Sequence, residues 1–201
     1  MTPLPDFDEA TVLSGPFVAG FSDDEFFAFC QSNDTARIER TANHEIIIMP
    51  PAGFESSAAS GDAYFQVARW ARLHGGRALE SSAGYTLPDC AVLSPDISWV
   101  SPQRLATVTA EQRQKFLPLC PDFIIEIKSP SDRLKTLHAK MEQWLRNGVR
   151  LGFLIDTETE TAFIYRPDEP TPETVQGFDH ELSGEPVLVG FRLDLRELRA
   201  A

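Results

Sequence analysis

Apolar and polar positions along this chain change period several times, and each change marks a predicted element. Ser22 followed by DDEFFAFCQSN puts acids in a first helical turn and Phe26, Phe27 and Cys30 on one face, the pattern of a short capped helix. ARIERTANHEIIIMPP reads as two extended runs turning near Ala42 and Asn43, an N-terminal β-hairpin, with Pro50-Pro51 closing the second run. SSAASGDAYFQVARWARLH carries apolar residues at helical spacing and stops at Gly75-Gly76. Two strand-like segments follow, RALESSAGYTL and VLSPDISWV, and then a polar stretch up to Pro121 that is expected to hold one short helix.

The second half has a clearer rhythm. PDFIIEIK is a strand, SPSD a turn, and LKTLHAKMEQWLRNGV an amphipathic helix through Leu134, Leu137, Met141 and Leu145, followed by the strand LGFLID. Strand, crossover helix, strand is the unit that makes a parallel pair, so a mixed sheet flanked by helices is expected, an α/β (α+β) fold. TAFIYRP reads as one more strand, and the Pro-, Glu- and Gly-rich remainder up to FRLDLREL as a loop with short terminal elements. Residues 1–21, with Pro3, Pro5, Gly15, Pro16 and Gly20, show no periodicity and are predicted to be an arm with little structure of its own, leaving 22–201 as a single domain. No internal repeat, low-complexity tract or linker interrupts it.

Composition narrows the class. The chain has 201 residues, 42% hydrophobic and 24% charged, enough for one substantial core and unlike a disordered or collagen-like polypeptide. No basic stretch followed by an apolar run opens the sequence, and its apolar runs are too short to span a bilayer, so a cytoplasmic protein with no membrane partner is expected. Cys30, Cys90 and Cys120 are odd in number and widely spaced, as free thiols in a reducing compartment would be. The net charge of -12 sits awkwardly with nucleic-acid binding, which draws on Lys and Arg. The charge is uneven, however: Lys128 to Arg150 holds six basic residues against two acids, whereas Asp156 to Glu197 holds eleven acids against three arginines.

Candidate chemistry centres on FIIEIKSPSD. Strand alternation puts Phe123, Ile125 and Ile127 on one face and Ile124, Glu126 and Lys128 on the other. Charges within so apolar a strand are costly, which raises a functional question; the ordinary alternative is that Glu126 and Lys128 reach solvent or pair with neighbours. In SPDISWV, Asp96 shares a face with Ser98 and Val100, and here too Pro-Asp is common where a strand leaves a turn. If the two strands are neighbours, Asp96 and Glu126 offer carboxylate oxygens to one hard cation such as magnesium. Other chemistries find no support: His44, His74, His138 and His180 are scattered, and no HExxH, GxSxG or phosphate-binding glycine loop occurs.

Pro95-Asp96 followed by Glu126-Ile127-Lys128 resembles the metal-binding signature of the PD-(D/E)XK nuclease superfamily. The longer run, SPDISWV, then PDFIIEIKSPSDR, a lysine-bearing helix, RNGVRLGFLID and TAFIYRP, resembles the Uma-type restriction endonuclease domain over roughly residues 22 to 198. In its commonest form that family has a residue other than lysine where Lys128 stands, so this chain is nearer the superfamily pattern, and Trp144 stands where many relatives have tyrosine, read as a packing substitution. The resemblance implies a restriction-endonuclease-like mixed sheet and magnesium-dependent hydrolysis of phosphodiester bonds in DNA, with manganese as a substitute. It implies Asp96 and Glu126 as metal ligands, Lys128 as the assisting cation, and a further acid in the first hairpin, Glu39 ahead of Glu45. Lys140 matches a helix lysine of the family that would contact phosphate, against the alternative of a solvated helix face, and a homodimer is implied by analogy with restriction enzymes. An inert nuclease-fold module serving binding or regulation, and a non-catalytic DNA-binding protein using the Lys128 to Arg150 run, are the competing readings.

Overall fold

The computed structural model describes residues 10–199. In chain order they form strand β1 (Thr11–Leu13), a single-turn helix α1 (Pro16–Ala19), helix α2 (Asp23–Ser32), the hairpin strands β2 (Arg37–Arg40) and β3 (Ile46–Met49), and the long helix α3 (Phe54–His74). Four short strands follow, β4 (Arg77–Glu80), β5 (Tyr85–Thr86), β6 (Val92–Leu93) and β7 (Ile97–Val100), then α4 (Pro102–Leu105). The central unit is β8 (Phe123–Ile127), α5 (Leu134–Asn147) and β9 (Leu151–Asp156), continued by β10 (Thr161–Tyr165), β11 (Glu173–Gln176), β12 (Glu181–Ser183) and β13 (Arg192–Asp194).

The main sheet runs β11-β10-β9-β8-β7-β4, with β8 and β9 parallel and their outer neighbours antiparallel. The parallel pair is the one joined through α5, as the crossover pattern required. A second sheet runs β1-β3-β2-β6-β5, and β12 pairs with β13 alone. The segments RALESSAGYTL and VLSPDISWV each divide between the two sheets: β4 and β7 join the main one, β5 and β6 the other. The stretch 10–21, expected to lack structure, contains β1, which pairs with β3 from Thr11↔Ile48 to Leu13↔Ile46 and so covers an otherwise open strand. Residues 1–9 of that predicted arm lie outside the described residues.

All five residues of β8 are buried because the sheet is covered on both faces. On one side Ala59, Ala63, Val67 and Ala71 of α3, small enough to let the helix approach closely, pack over Ile97, Trp99, Phe123, Ile125 and Phe153. On the other, Leu137, Met141 and Trp144 of α5 pack over Ile124 and Leu154 with Tyr85 and Leu93. Gly152 makes room for that helix, since a Cβ there would lie 2.6 Å from Met141 Cε. A third cluster, Phe26, Ile38, Ile46 and Val92, ties α2 to the smaller sheet. Helix α2 starts with the expected cap: Ser22 and Glu25 close a reciprocal capping box. Among the described residues no helix is long and apolar enough to cross a membrane, and all three cysteines are free thiols.

Candidate active site

Antiparallel pairing of β7 and β8 sets Ile97 opposite Ile125, which brings Asp96, one step before β7, beside Glu126. Asp96 is fixed at both oxygens: Oδ2 accepts the backbone N–H of Ile127 at 2.8 Å, and Oδ1 accepts Arg37 Nη1 at 2.8 Å. Arg37 comes from β2, where strand alternation puts it on the same side as Glu39. Glu39 Oε1 accepts the backbone N–H of Ser94 at 2.9 Å and Lys140 Nζ at 3.0 Å. Lys140 reaches across from α5 and also lies 2.9 Å from Glu126 Oε1, while Trp144, one helical turn later, donates its indole N–H to that same oxygen at 3.0 Å. Two strands, one strand approach and one helix therefore converge on a cluster of three carboxylates and two cations.

The cluster is graded in exposure. Glu126 is 3% exposed, whereas the side chains of Asp96, Lys140 and Arg37 are 15%, 16% and 30% exposed, so access comes from the arginine side. Burial pushes the Glu126 carboxyl up to about 7; Lys140 opposes the rise and Asp96 adds to it. For Lys140 burial works against the charge, but Glu126 and Glu39 more than offset it and hold the ammonium above its ordinary value. Arg37 is likewise held charged against burial by Asp96, Glu39 and Glu126.

Of the residues expected from sequence, Glu39, Asp96, Glu126 and Lys140 are brought together. Lys128 shares a strand face with Glu126, but its ammonium lies 3.2 Å from Glu158 Oε2 and 3.7 Å from Asp156 Oδ1. The parallel register continues from Ile127↔Ile155 to set Asp156 next to it, a neighbour that local sequence does not reveal. Glu45, the second choice in the hairpin, bonds with Thr41 at the turn instead. Arg37, Ser94 and Trp144 were not singled out for the site. The signals were there for two of them: Arg37 alternates with Glu39 in RIER, and Trp144 follows Lys140 at the spacing of one helical turn.

Among the described residues no three His, Cys, Asp or Glu side chains are gathered closely enough to hold a metal by themselves, and the three carboxylates of the cluster are joined through Arg37 and Lys140. Magnesium asks for less, one or two carboxylates with water and substrate oxygens completing its shell. Asp96 and Glu126 offer hard oxygen donors, and among the described residues every hydrogen bond to Glu39 and Glu126 falls on Oε1, leaving Oε2 of each without a protein donor. These residues fit a magnesium-type ion. A cavity of about 370 Å³ between Trp70, His74, Trp99 and Arg150 lies at the other end of β7 and takes in none of the cluster.

A mixed sheet whose central parallel pair is joined by a crossover helix, with helices over both faces, is of the restriction-endonuclease-like fold class. The chain belongs to the Uma2 family, described as "Putative restriction endonuclease", whose model matches residues 23–196. Among solved structures it is similar to a "putative nuclease belonging to DUF820" from Anabaena variabilis, with 23% identity, a TM-score of 0.69, and coverage of 80% of this chain and 88% of that one. At that identity the likeness establishes the shared fold. No curated protein matches the chain.

Proposed function

We propose that this protein is a magnesium-dependent endonuclease acting on DNA, with manganese able to substitute. The observation that carries the reading is that one ammonium, Lys140, bridges two buried carboxylates, Glu39 and Glu126, each with an oxygen to spare, beside a third carboxylate anchored to the same strand. Asp96 and Glu126 would hold the ion. When bound, it would lower the pKa of a coordinated water and neutralise charge growing on the phosphorus. The chain's own residues supply the rest: Ile127 N–H orients Asp96, Glu39 holds Lys140 at the cluster, and Lys140 keeps positive charge where an anionic transition state would gain from it. The geometry supports Lys140 ahead of Lys128 as the cation beside Glu126, because Lys128 is engaged by Asp156 and Glu158. A homodimer would supply the second site that cutting both strands of a duplex calls for.

A second reading is an inert nuclease-fold module used for binding or regulation. It draws on the internal neutralisation of the carboxylates by Arg37 and Lys140 and on the net charge of -12, which gives little general affinity for phosphates. Supercoiled plasmid and single-stranded DNA, incubated with magnesium or manganese, separate the two. Cleavage by the wild type that falls by more than about 100-fold in identically prepared Glu126→Ala supports the nuclease, since even outer-shell losses at metal sites cost 10–100-fold. Equal cleavage, or none, in both proteins favours the inert module.

A further inference from the structure

Trp144 reaches the site from inside the core. It is fully buried, and its ring meets Tyr85 edge-on with centroids 6.2 Å apart. Tyr85 is itself pinned by a 2.6 Å hydrogen bond between its hydroxyl and Ser98 Oγ on the strand that Asp96 precedes. The protein has three tryptophans, and the other two spend their N–H on backbone carbonyls: Trp70 on Val189 at 3.0 Å and Trp99 on Gly75 at 3.1 Å. Trp144 alone of the three directs its only donor at a carboxylate, at 3.0 Å from Glu126 Oε1.

The two donors on that oxygen differ in kind. Lys140 is a partly exposed side chain whose ammonium is shared between Glu39 and Glu126, so its hold on Oε1 is divided. The indole is rigid and enclosed, and cannot leave. The terminal torsion of a glutamate is broad, with no deep staggered well to fix it, so an immovable donor on Oε1 determines which oxygen remains available.

We infer that Trp144 is a positioning residue of this site: its indole N–H locks Glu126 through Oε1 and reserves Oε2 for the divalent ion. The inference rests on the metal-dependent reading above. It also explains why a tryptophan here does more than fill volume, since a phenyl ring would serve the core but leave Oε1 to Lys140 alone.

The test uses the full chain labelled with ¹⁵N at its tryptophans. The Trp144 indole resonance, identified by its loss in Trp144→Phe, is expected to move in Glu126→Gln and again on saturation with magnesium, while those of Trp70 and Trp99 stay in place as internal controls. Replacing Trp144 with β-(3-benzothienyl)alanine, which keeps the ring shape but puts sulfur where the N–H was, is expected to weaken magnesium binding about 10-fold or more by calorimetric titration, with the thermal midpoint retained. A Trp144 resonance indifferent to Glu126→Gln, or wild-type magnesium affinity in the sulfur analogue, overturns the positioning role and leaves the nuclease reading standing. A wild-type protein that takes up no magnesium or manganese overturns the metal reading itself, and the role for Trp144 with it.

Discussion

Glu126 carries its charge against its surroundings, and that fixes a sign. Its carboxyl is raised from 4.5 to about 7 in the folded protein, first by burial. Between those values the folded chain holds a proton that the unfolded chain has released, so this group's contribution to stability is full at low pH and is lost as pH rises from about 4.5 through about 7. Metal-free thermal midpoints measured from pH 5 to 8 should show that loss in the wild type and not in Glu126→Gln. Cleavage should run the opposite way, rising over the same window, because a metal needs the carboxylate. The cysteines divide by burial. Burial pushes Cys30 up to about 11 and Cys120 up to about 12, while Cys90 is exposed, so an aromatic disulfide reagent at pH 8 should modify Cys90 rapidly and the other two slowly. Asp96 and Glu126 were legible in the sequence because acids in apolar strands stand out. The direction taken by Lys128 was not, because it depends on Asp156, a neighbour brought alongside only by the parallel register.

Helix α5 is the element on which the site turns. Met141 is buried over Gly152, between Lys140 and Trp144 in sequence, so the residue that seats the helix lies next to those that grip Glu126. Met141→Ala should cost about 2–5 kcal/mol in urea unfolding, and should lower cleavage further than the remaining folded fraction accounts for, since a cavity there lets the helix shift. The amphipathic pattern of α5, the crossover unit and the Ser22 cap were all readable, because each is a local pattern with a period or a fixed spacing. Sheet membership was not. RALESSAGYTL carries one continuous extended pattern, yet Ser81 to Gly84 break it and the two ends enter different sheets, a choice made by partners far along the chain. The strand at Thr11–Leu13 was missed for the same reason: its three residues are all exposed, and only the edge of β3 makes them a strand.

Across the whole molecule the basic run gives one side chain to the cluster, Lys140, which is spent on internal carboxylates. Arg37 and Glu39 belong to the smaller sheet, while Glu126 and Lys140 belong to the main sheet and its covering helix. The backbone register joining the hairpin to the strand β6 that leads toward Asp96 is a single pair, Arg40↔Val92. The cluster is thus a joint between two layers, and a joint outlasts neither of the parts it unites. Mild urea should silence cleavage at concentrations where near-ultraviolet signals of the buried tryptophans still report an intact main layer, with amide exchange quickening first along Arg37 to Met49. In such a protein, inactivation would serve as a gauge of the seam between the layers and would register its loosening well before the body of the fold gives way.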